Sequence, residues 1–599
     1  MSVGLLAYCN SFHAPFVFDD MNSIVENPLI KELTFYMHPS AAKKFPLYPA
    51  FKSRFVSYLS FALNYRLHGL DVAGYHIFNL AVHIGNALLL YFLVRLTFRT
   101  PYFVNRQQSE TRRYGSMIAL FSAFLFVSHP IQTQAVTYIV QRLASLATFF
   151  YLLSLLLYIK SRLAQVNTER FFPVSGVAFY LLALLSAIVA MKTKETAFTL
   201  PVIMVLYEFM FFEEKTARRL LWLAPLLLTM CIIPFTLINI DKPLENLIGD
   251  VGEATRLQTG ISRWDYLFTQ FRVIVTYLRL LLLPINQNLD YDYPIYHSLF
   301  DGEVMASLLL ILSLLALAVY LFLQSRHNIP KAKLRHPALR LTAFGILWFF
   351  ITLSIESGFI PIIDVIFEHR VYLPSVGFFI AVTSVIGQVG AWWGNRMAYA
   401  GKALVYVMLA AVIILSAATY ARNGVWQEEI SLWEDASKKS PGKIRPLNNL
   451  GNIYFDRGSL GQAMVLYQRA LRIEPYHTTW YNISNVYRNT GLIDMAIDAL
   501  NHAISLNPWN STYYVNLGNT QNLIGKNKEA IESYKSALSV NPNDAKANYN
   551  LANTLEETGN LKAAALYYGE ALKIQPDYRL AVEAHRRVLY TLKNDWKKG

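Results

Sequence analysis

LGNTQNLIGKNKEAIESYKSALSVNP, residues 517–542, is one turn of a pattern that returns through the C-terminal part of this 599-residue chain. Prolines close each unit at Pro441, Pro475, Pro508, Pro542 and Pro576, spaced 34, 33, 34 and 34 residues apart. Between them small and aromatic positions recur: Leu450-Gly451, Ala463, Tyr467, Ala470; Ile483, Ala496, Leu500, Ala503; Leu517-Gly518, Ala530, Tyr534, Ala537; Leu551-Ala552, Ala564, Tyr568, Ala571. Such a period marks a two-helix unit whose small residues let the helices pack closely and whose proline ends the second helix. Residues 444–576 therefore read as an α-solenoid of four repeats, 426–443 as a linker and 577–599 as a capping helix and tail.

Upstream of the repeats the chain reads as a lipid-embedded bundle. Hydrophobic residues make up 54% of the sequence and the mean hydropathy is +0.29, too apolar for an ordinary soluble enzyme. The net charge of +14 lies in short clusters between apolar runs, which points to membrane orientation and away from nucleic acid. Two cysteines, Cys9 and Cys231, exclude a disulfide framework. With about 20 apolar residues needed per crossing, spans are expected near 74–94, 115–130, 143–160, 172–190, 196–212, 220–240, 303–324, 339–356, 370–392 and 402–421. The apolar start, Ser2 to Phe12, is too short to cross and reads as the remainder of a clipped first span, giving about eleven. The stretch 265–284 is long enough to span but carries Gln270, Arg272 and Arg279. Only if it does not cross do the basic clusters all fall on one side, so it reads as a re-entrant or interfacial helix. Residues 1–425 then form an all-α polytopic bundle, with loops 13–53, 241–263 and 285–302 and the repeats on the non-cytoplasmic face.

Polar residues cluster on that same face, where an ionisable group at membrane depth is costly unless paired or solvated. Asp19 and Asp20 follow Phe16-Val17-Phe18; Lys194-Glu195 and His129 occupy tight turns; Glu368 and Arg370 precede a span; His76 starts a polar stripe with Asn79, His83 and Asn86. The stripe is either interhelical glue or part of a site. Arg272 and Arg279 share one helix face, which suits a phosphate, the alternative being snorkelling to lipid headgroups. Asp290 and Asp292, in DYDYP, could close over a sugar or hold a cation, although no metal-ligand spacing is specific. In the solenoid Asn452, Asn485, Asn519 and Asn553 recur, either as packing amides or as contacts to an extended peptide in the groove.

The repeats are similar to tetratricopeptide repeats. Phe18-Asp19-Asp20, the stripe from His76, His129-Pro130, the Lys194-Glu195 turn, Arg370-Val371-Tyr372-Leu373-Pro374-Ser375 and the repeats together resemble the transmembrane and tetratricopeptide-containing O-mannosyltransferases and their bacterial relatives, within the GT-C glycosyltransferase superfamily. The resemblance implies an inverting enzyme that moves a sugar from a polyprenyl-phosphate carrier to a protein acceptor, a Ser/Thr hydroxyl, outside the cytoplasm. On that footing Asp19 or Asp20 is the candidate base, with the other orienting the acceptor or binding a cation, Mg or Mn. Lys194, Arg370, Arg272 and Arg279 are candidates to hold the donor phosphate, and Glu195 and Glu368 pair with neighbouring cations. His76, His129, Asp290 and Asp292 are supporting candidates, and the repeats would recruit the polypeptide. Two other classes stay open: an oligosaccharide ligase or polymerase using a lipid-diphosphate donor, and a membrane-anchored repeat scaffold without chemistry. The expected setting is a bacterial inner membrane with periplasmic repeats, or an endoplasmic reticulum with luminal repeats in a eukaryote.

Overall fold

The computed structural model describes residues 1–104, 109–168, 173–213, 216–237, 260–326, 338–394 and 400–595. Residues 241–259 of the expected outer loop 241–263 lie outside the described residues, as do Arg106, Arg170, Lys215, Lys331, Lys333, Arg335 and Arg396 of the basic clusters. Among the described residues every regular element is helical and no strand occurs. The chain divides into two units, Met1–Leu432 and Trp433–Gly599.

In the first unit seven helices are long and apolar enough to cross a membrane: Val72–Thr97, Ile139–Val166, Val174–Met191, Arg219–Thr236, Gly302–Ser325, Glu368–Gly390 and Lys402–Gly424. An eighth crossing arises if Tyr114–Ser128 and Pro130–Val136, bent by 54° at His129, count as one. Two stretches read as spans form shorter helices. The 196–212 stretch opens with a 3₁₀ turn, Glu195–Thr199, leaving 12 residues of α-helix at Leu200–Phe211. The 339–356 stretch keeps 16 at Ala338–Leu353, because the chain beyond runs without regular structure until residue 368. The apolar start is the seven-residue helix Ser2–Tyr8, and Arg263–Leu282 is a 20-residue helix whose charges keep it out of the spanning set.

Burial grades these helices from centre to rim. The apolar window of Ile139–Val166 is 72% buried, whereas those of Gly302–Ser325 and Lys402–Gly424 are 17% buried and turn most of their surface outward. Helices in lipid associate through close packing at small residues. At Gly345 an added Cβ would stand 2.4 Å from the Gly377 carbonyl, so the 338–353 and 372–394 helices meet backbone to backbone there.

The second unit is a run of helix pairs from Ile444–Asp456 and Leu460–Ile473 to Ala545–Glu557 and Leu561–Ile574, closed by Arg579–Asp595. The small residues act as expected: a Cβ on Gly518 would stand 2.6 Å from the Tyr534 ring of the paired helix. The 426–443 stretch differs from the expected linker. It contains the helix Glu429–Lys439, whose Trp433 and Ala436 are buried, and Glu434 accepts a hydrogen bond from Tyr454 of the first repeat at 3.3 Å.

Candidate functional site

The acid pair sits on a strained turn. Phe18 has φ +51°, one of two non-glycine residues with positive φ among the described residues. This turn sends the two acids to different surroundings. Asp20 is fully buried; its Oδ2 accepts from the Val17 N–H at 3.0 Å and its Oδ1 from the Val140 N–H at 2.7 Å. Burial pushes its carboxyl up to about 8, against the backbone donors of Val17 and Val140, which pull it down, and with the neighbouring Asp19 charge adding to the rise. Asp19 is exposed. Its backbone N–H donates to Tyr138 Oη at 2.9 Å, and the Tyr138 hydroxyl also hydrogen-bonds the Asp19 side chain. Tyr138 is held in turn between Phe18 and Trp426, with ring centroids at 6.5 and 5.6 Å.

The frame behind the pair is the segment HPIQTQAVTYIVQR, residues 129–142, which breaks the bent span and the one after it. Residues 129–140 are all buried, so irregular backbone at this depth must be satisfied by protein. Asn79 Nδ2 donates to the Val136 carbonyl at 3.1 Å and Gln287 Nε2 to the Pro130 carbonyl at 3.0 Å. The segment's own side chains reach outward: Gln132 Nε2 to Ser375 Oγ at 2.9 Å, Gln134 Nε2 to the Asn288 carbonyl at 3.3 Å, Thr137 Oγ1 to Asn423 Oδ1 at 2.7 Å. Arg142 closes it, donating to Asn79 Oδ1 at 2.6 Å and to the Ser60 and Tyr75 carbonyls at 3.2 Å. The two histidines singled out from sequence are pinned here. His76 Nε2 meets the Ala14 carbonyl at 2.8 Å; His129 accepts from the Ile131 N–H at Nδ1, which leaves Nε2 to donate to Leu281 at 3.1 Å. His129 thus uses both ring nitrogens on backbone, whereas His76 uses one, and its buried Nδ1 has no hydrogen-bond partner among the described residues.

From the same segment hangs a cationic cluster. Gln134 Oε1 accepts from the His369 N–H at 3.0 Å, and His369 stands in the field of Lys194, Arg370 and Arg54. Lys194 pairs with Glu356 at 2.6 Å, and Arg54 Nε pairs with both oxygens of Glu195 at 3.0 and 3.2 Å. Arg370 donates to the Val365 and Asp364 carbonyls at 3.1 and 2.6 Å. Lys194, Glu195 and Arg370 are thus brought together, joined by Arg54 and Glu356, which sequence reasoning passed over. Arg54 follows Lys52 at the mouth of an apolar helix, with nothing local to mark it, and its partner lies 141 residues away.

The remaining candidates have partners of their own. Arg272 pairs with Glu303 at 3.1 Å, and Arg279 donates to the Ile285 carbonyl at 3.2 Å. Glu368 is buried and accepts from the Asn288 N–H at 2.8 Å, Tyr291 Oη at 2.6 Å and Gln287 Nε2 at 2.7 Å, so it staples the 285–302 run to the bundle. Asp290 is buried within that run and Asp292 is exposed. Among the described residues no three His, Cys, Asp or Glu side chains converge to hold a metal ion. Both Asp20 oxygens already accept backbone N–H groups.

In the repeats, three of the four recurrent asparagines carry a packing bond. The Oδ1 atoms of Asn452 and Asn519 accept from Tyr467 and Tyr534 at 2.7 and 2.8 Å, and Asn553 pairs likewise with Tyr568. Asn485 accepts from Arg488 at 3.1 Å.

The tetratricopeptide repeat family matches residues 444–477, 477–508, 523–559 and 545–578. A protein O-mannosyl-transferase of Caenorhabditis elegans is 24% identical over 489 residues, covering 79% of this chain and 62% of that protein. The mouse protein O-mannosyl-transferase TMTC3 is 26% identical over 514 residues, covering 79% of this chain and 50% of its own length. The chain therefore spans between half and three-fifths of these relatives. Among solved structures, the crystal structure of MamA aligns with 24% of this chain and 86% of its own at 25% identity and a TM-score of 0.23. The chain is an all-helical protein with membrane-spanning helices and C-terminal tetratricopeptide repeats, and over most of its length it resembles the protein O-mannosyl-transferases.

Proposed function

We propose that this chain is an inverting membrane glycosyltransferase of the GT-C type, moving a sugar from a polyprenyl-phosphate donor to a Ser/Thr hydroxyl of a protein on the non-cytoplasmic face. The sugar proposed is mannose, after the name its relatives share. The observation that carries this reading is the common frame: the turn that presents the exposed Asp19 is bonded to Tyr138 and Val140 of the buried segment 129–142, and His369, in the field of Lys194 and Arg370, is bonded to Gln134 of the same segment.

In the reaction Asp19 takes the proton of the acceptor hydroxyl as that oxygen bonds to the anomeric carbon. The bond from that carbon to the phosphate oxygen breaks, and the electron pair leaves with the lipid phosphate. Lys194 and Arg370 stabilise the charge gathering there, in a setting where fixed cations need no reorganisation. Asp20 is a positioning residue: it ties the turn at Phe18 to Val140 and so sets where Asp19 stands. No step is routed through a metal ion. The repeats would recruit the polypeptide, with the amide nitrogens of Asn452, Asn519 and Asn553 as donors to its backbone.

The test is transfer of radiolabelled mannose from polyprenyl-phosphate mannose to membrane proteins, with parent and Asp19→Asn compared in matched amounts. Label is expected with the parent and reduced by about 100-fold or more in the variant, the scale of a lost general base. Equal label would remove Asp19 from the mechanism. No label from any polyprenyl-phosphate donor with the parent would remove the transferase reading itself.

A further inference from the structure

Arg54 stands between the short helix Tyr48–Ser53 and the helix Phe55–His68. Its backbone is fixed against the Lys192–Glu195 turn: the Val56 N–H donates to the Lys192 carbonyl at 3.0 Å and Ser57 Oγ to the Thr193 carbonyl at 2.9 Å. The side chain meets Glu195 through Nε alone. Its two terminal nitrogens make no hydrogen bond among the described residues, and the side chain is 38% exposed. A guanidinium held this way has been oriented by one acid and keeps its two-nitrogen fork for another. That fork matches two oxygens of a phosphate, which an ammonium cannot do. The charged neighbours are Lys194, Arg370 and Glu356, with His369 alongside. A pair serving only the surface would add little to stability and would give no reason for an unengaged fork beside two further cations.

We infer that Arg54 is a phosphate-binding residue for a polyprenyl-phosphate ligand, its fork kept in place by Glu195; this deepens the transferase reading and rests on it for the ligand class. Binding of farnesyl phosphate to the full-length chain in nanodiscs tests it, with farnesol and inorganic phosphate as separate probes. Arg54→Gln is expected to raise the Kd for farnesyl phosphate by about tenfold or more, the scale of a lost charge-assisted contact, and to leave farnesol binding unchanged. Arg54→Lys should recover only part of the loss. Glu195→Gln, which keeps one acceptor for the Arg54 Nε–H and removes a competing negative charge, should bind farnesyl phosphate no more weakly than the parent. Inorganic phosphate binding as tightly as farnesyl phosphate would overturn the lipid as the ligand. Farnesyl phosphate binding unchanged in Arg54→Gln would overturn the role of Arg54, as would equal weakening by Arg54→Gln and Glu195→Gln, the mark of a pair that only stabilises the fold. The two readings fail separately: a parent that transfers mannose while Arg54→Gln binds normally sinks the Arg54 inference alone, and a parent that binds farnesyl phosphate yet transfers nothing sinks the transferase.

Discussion

Neighbouring acids can carry opposite duties: in the proposed reaction Asp19 serves the chemistry, while Asp20 is bonded into the architecture. Asp20→Ala leaves the Val17 and Val140 N–H groups without their acceptor. At about 1–3 kcal/mol for each buried group left unmade, this variant should melt well below the parent in a thermal scan, whereas Asp19→Ala should melt with it. The protonation of Asp20 adds a second signature. Its folded value stands above the ordinary aspartate value of 3.8, at about 8, so the native chain holds that proton more tightly than the unfolded one. The stability it contributes is complete below the ordinary value and is lost as pH rises through about 8. Melting temperature should therefore fall with rising pH across that window in the parent, and Asp20→Asn should flatten the slope. The sequence made the pair conspicuous and left the division of labour hidden, because that depends on the turn at Phe18 and on Val140, 120 residues away. Arg54 was hidden for the same reason.

The element that organises the site is the broken segment 129–142. Its Pro130 predicts an interruption, but its hydrogen bonds reach partners far along the chain and no local pattern reveals them. Gln134 joins the Asn288 carbonyl to the His369 backbone. Gln134→Ala should cost about 1–3 kcal/mol and weaken polyprenyl-phosphate binding through the displaced His369 turn, measured as a rise in donor KM with little change in expression. A purely mechanical contact elsewhere offers a contrast. Gly345→Ala puts a methyl group against the Gly377 carbonyl; overpacking of this kind costs about 1–3 kcal/mol and should lower the melting temperature while leaving the KM of the surviving protein alone. Element-scale legibility followed period. The repeats, with small residues every 33 or 34 positions, could be read directly, as could the long spans. The 429–439 helix could not, since only a few of its side chains are buried and the charged run around them looks like a linker.

At the scale of the molecule, the proposed topology makes a claim about sides. In a variant lacking Cys9 and Cys231, single cysteines introduced at Met21 and at Trp509, both exposed, should react with a membrane-impermeant maleimide added from the non-cytoplasmic side. Labelling of Trp509→Cys only after permeabilisation would place the repeats on the other side and end their role in delivering the acceptor. The even share of apolar composition along residues 72–424 made a bundle legible, but not which helices occupy its centre, since neighbours in space are chosen by contacts that sequence order does not record. Those contacts bear on how the protein is made. The 129–142 segment accepts from Gln287 and from the His369 N–H, and donates to the Asn288 carbonyl and finally to Asn423. The segment enters the bilayer early in synthesis, and its side-chain bonds are completed only when the last span brings Asn423 to Thr137. Until then the nascent chain carries uncovered polar groups in lipid, the kind of defect that insertion chaperones hold and membrane proteases cut. Release stalled before Asn423 should leave a short-lived fragment, so the segment that frames the site also reports whether the bundle has been finished.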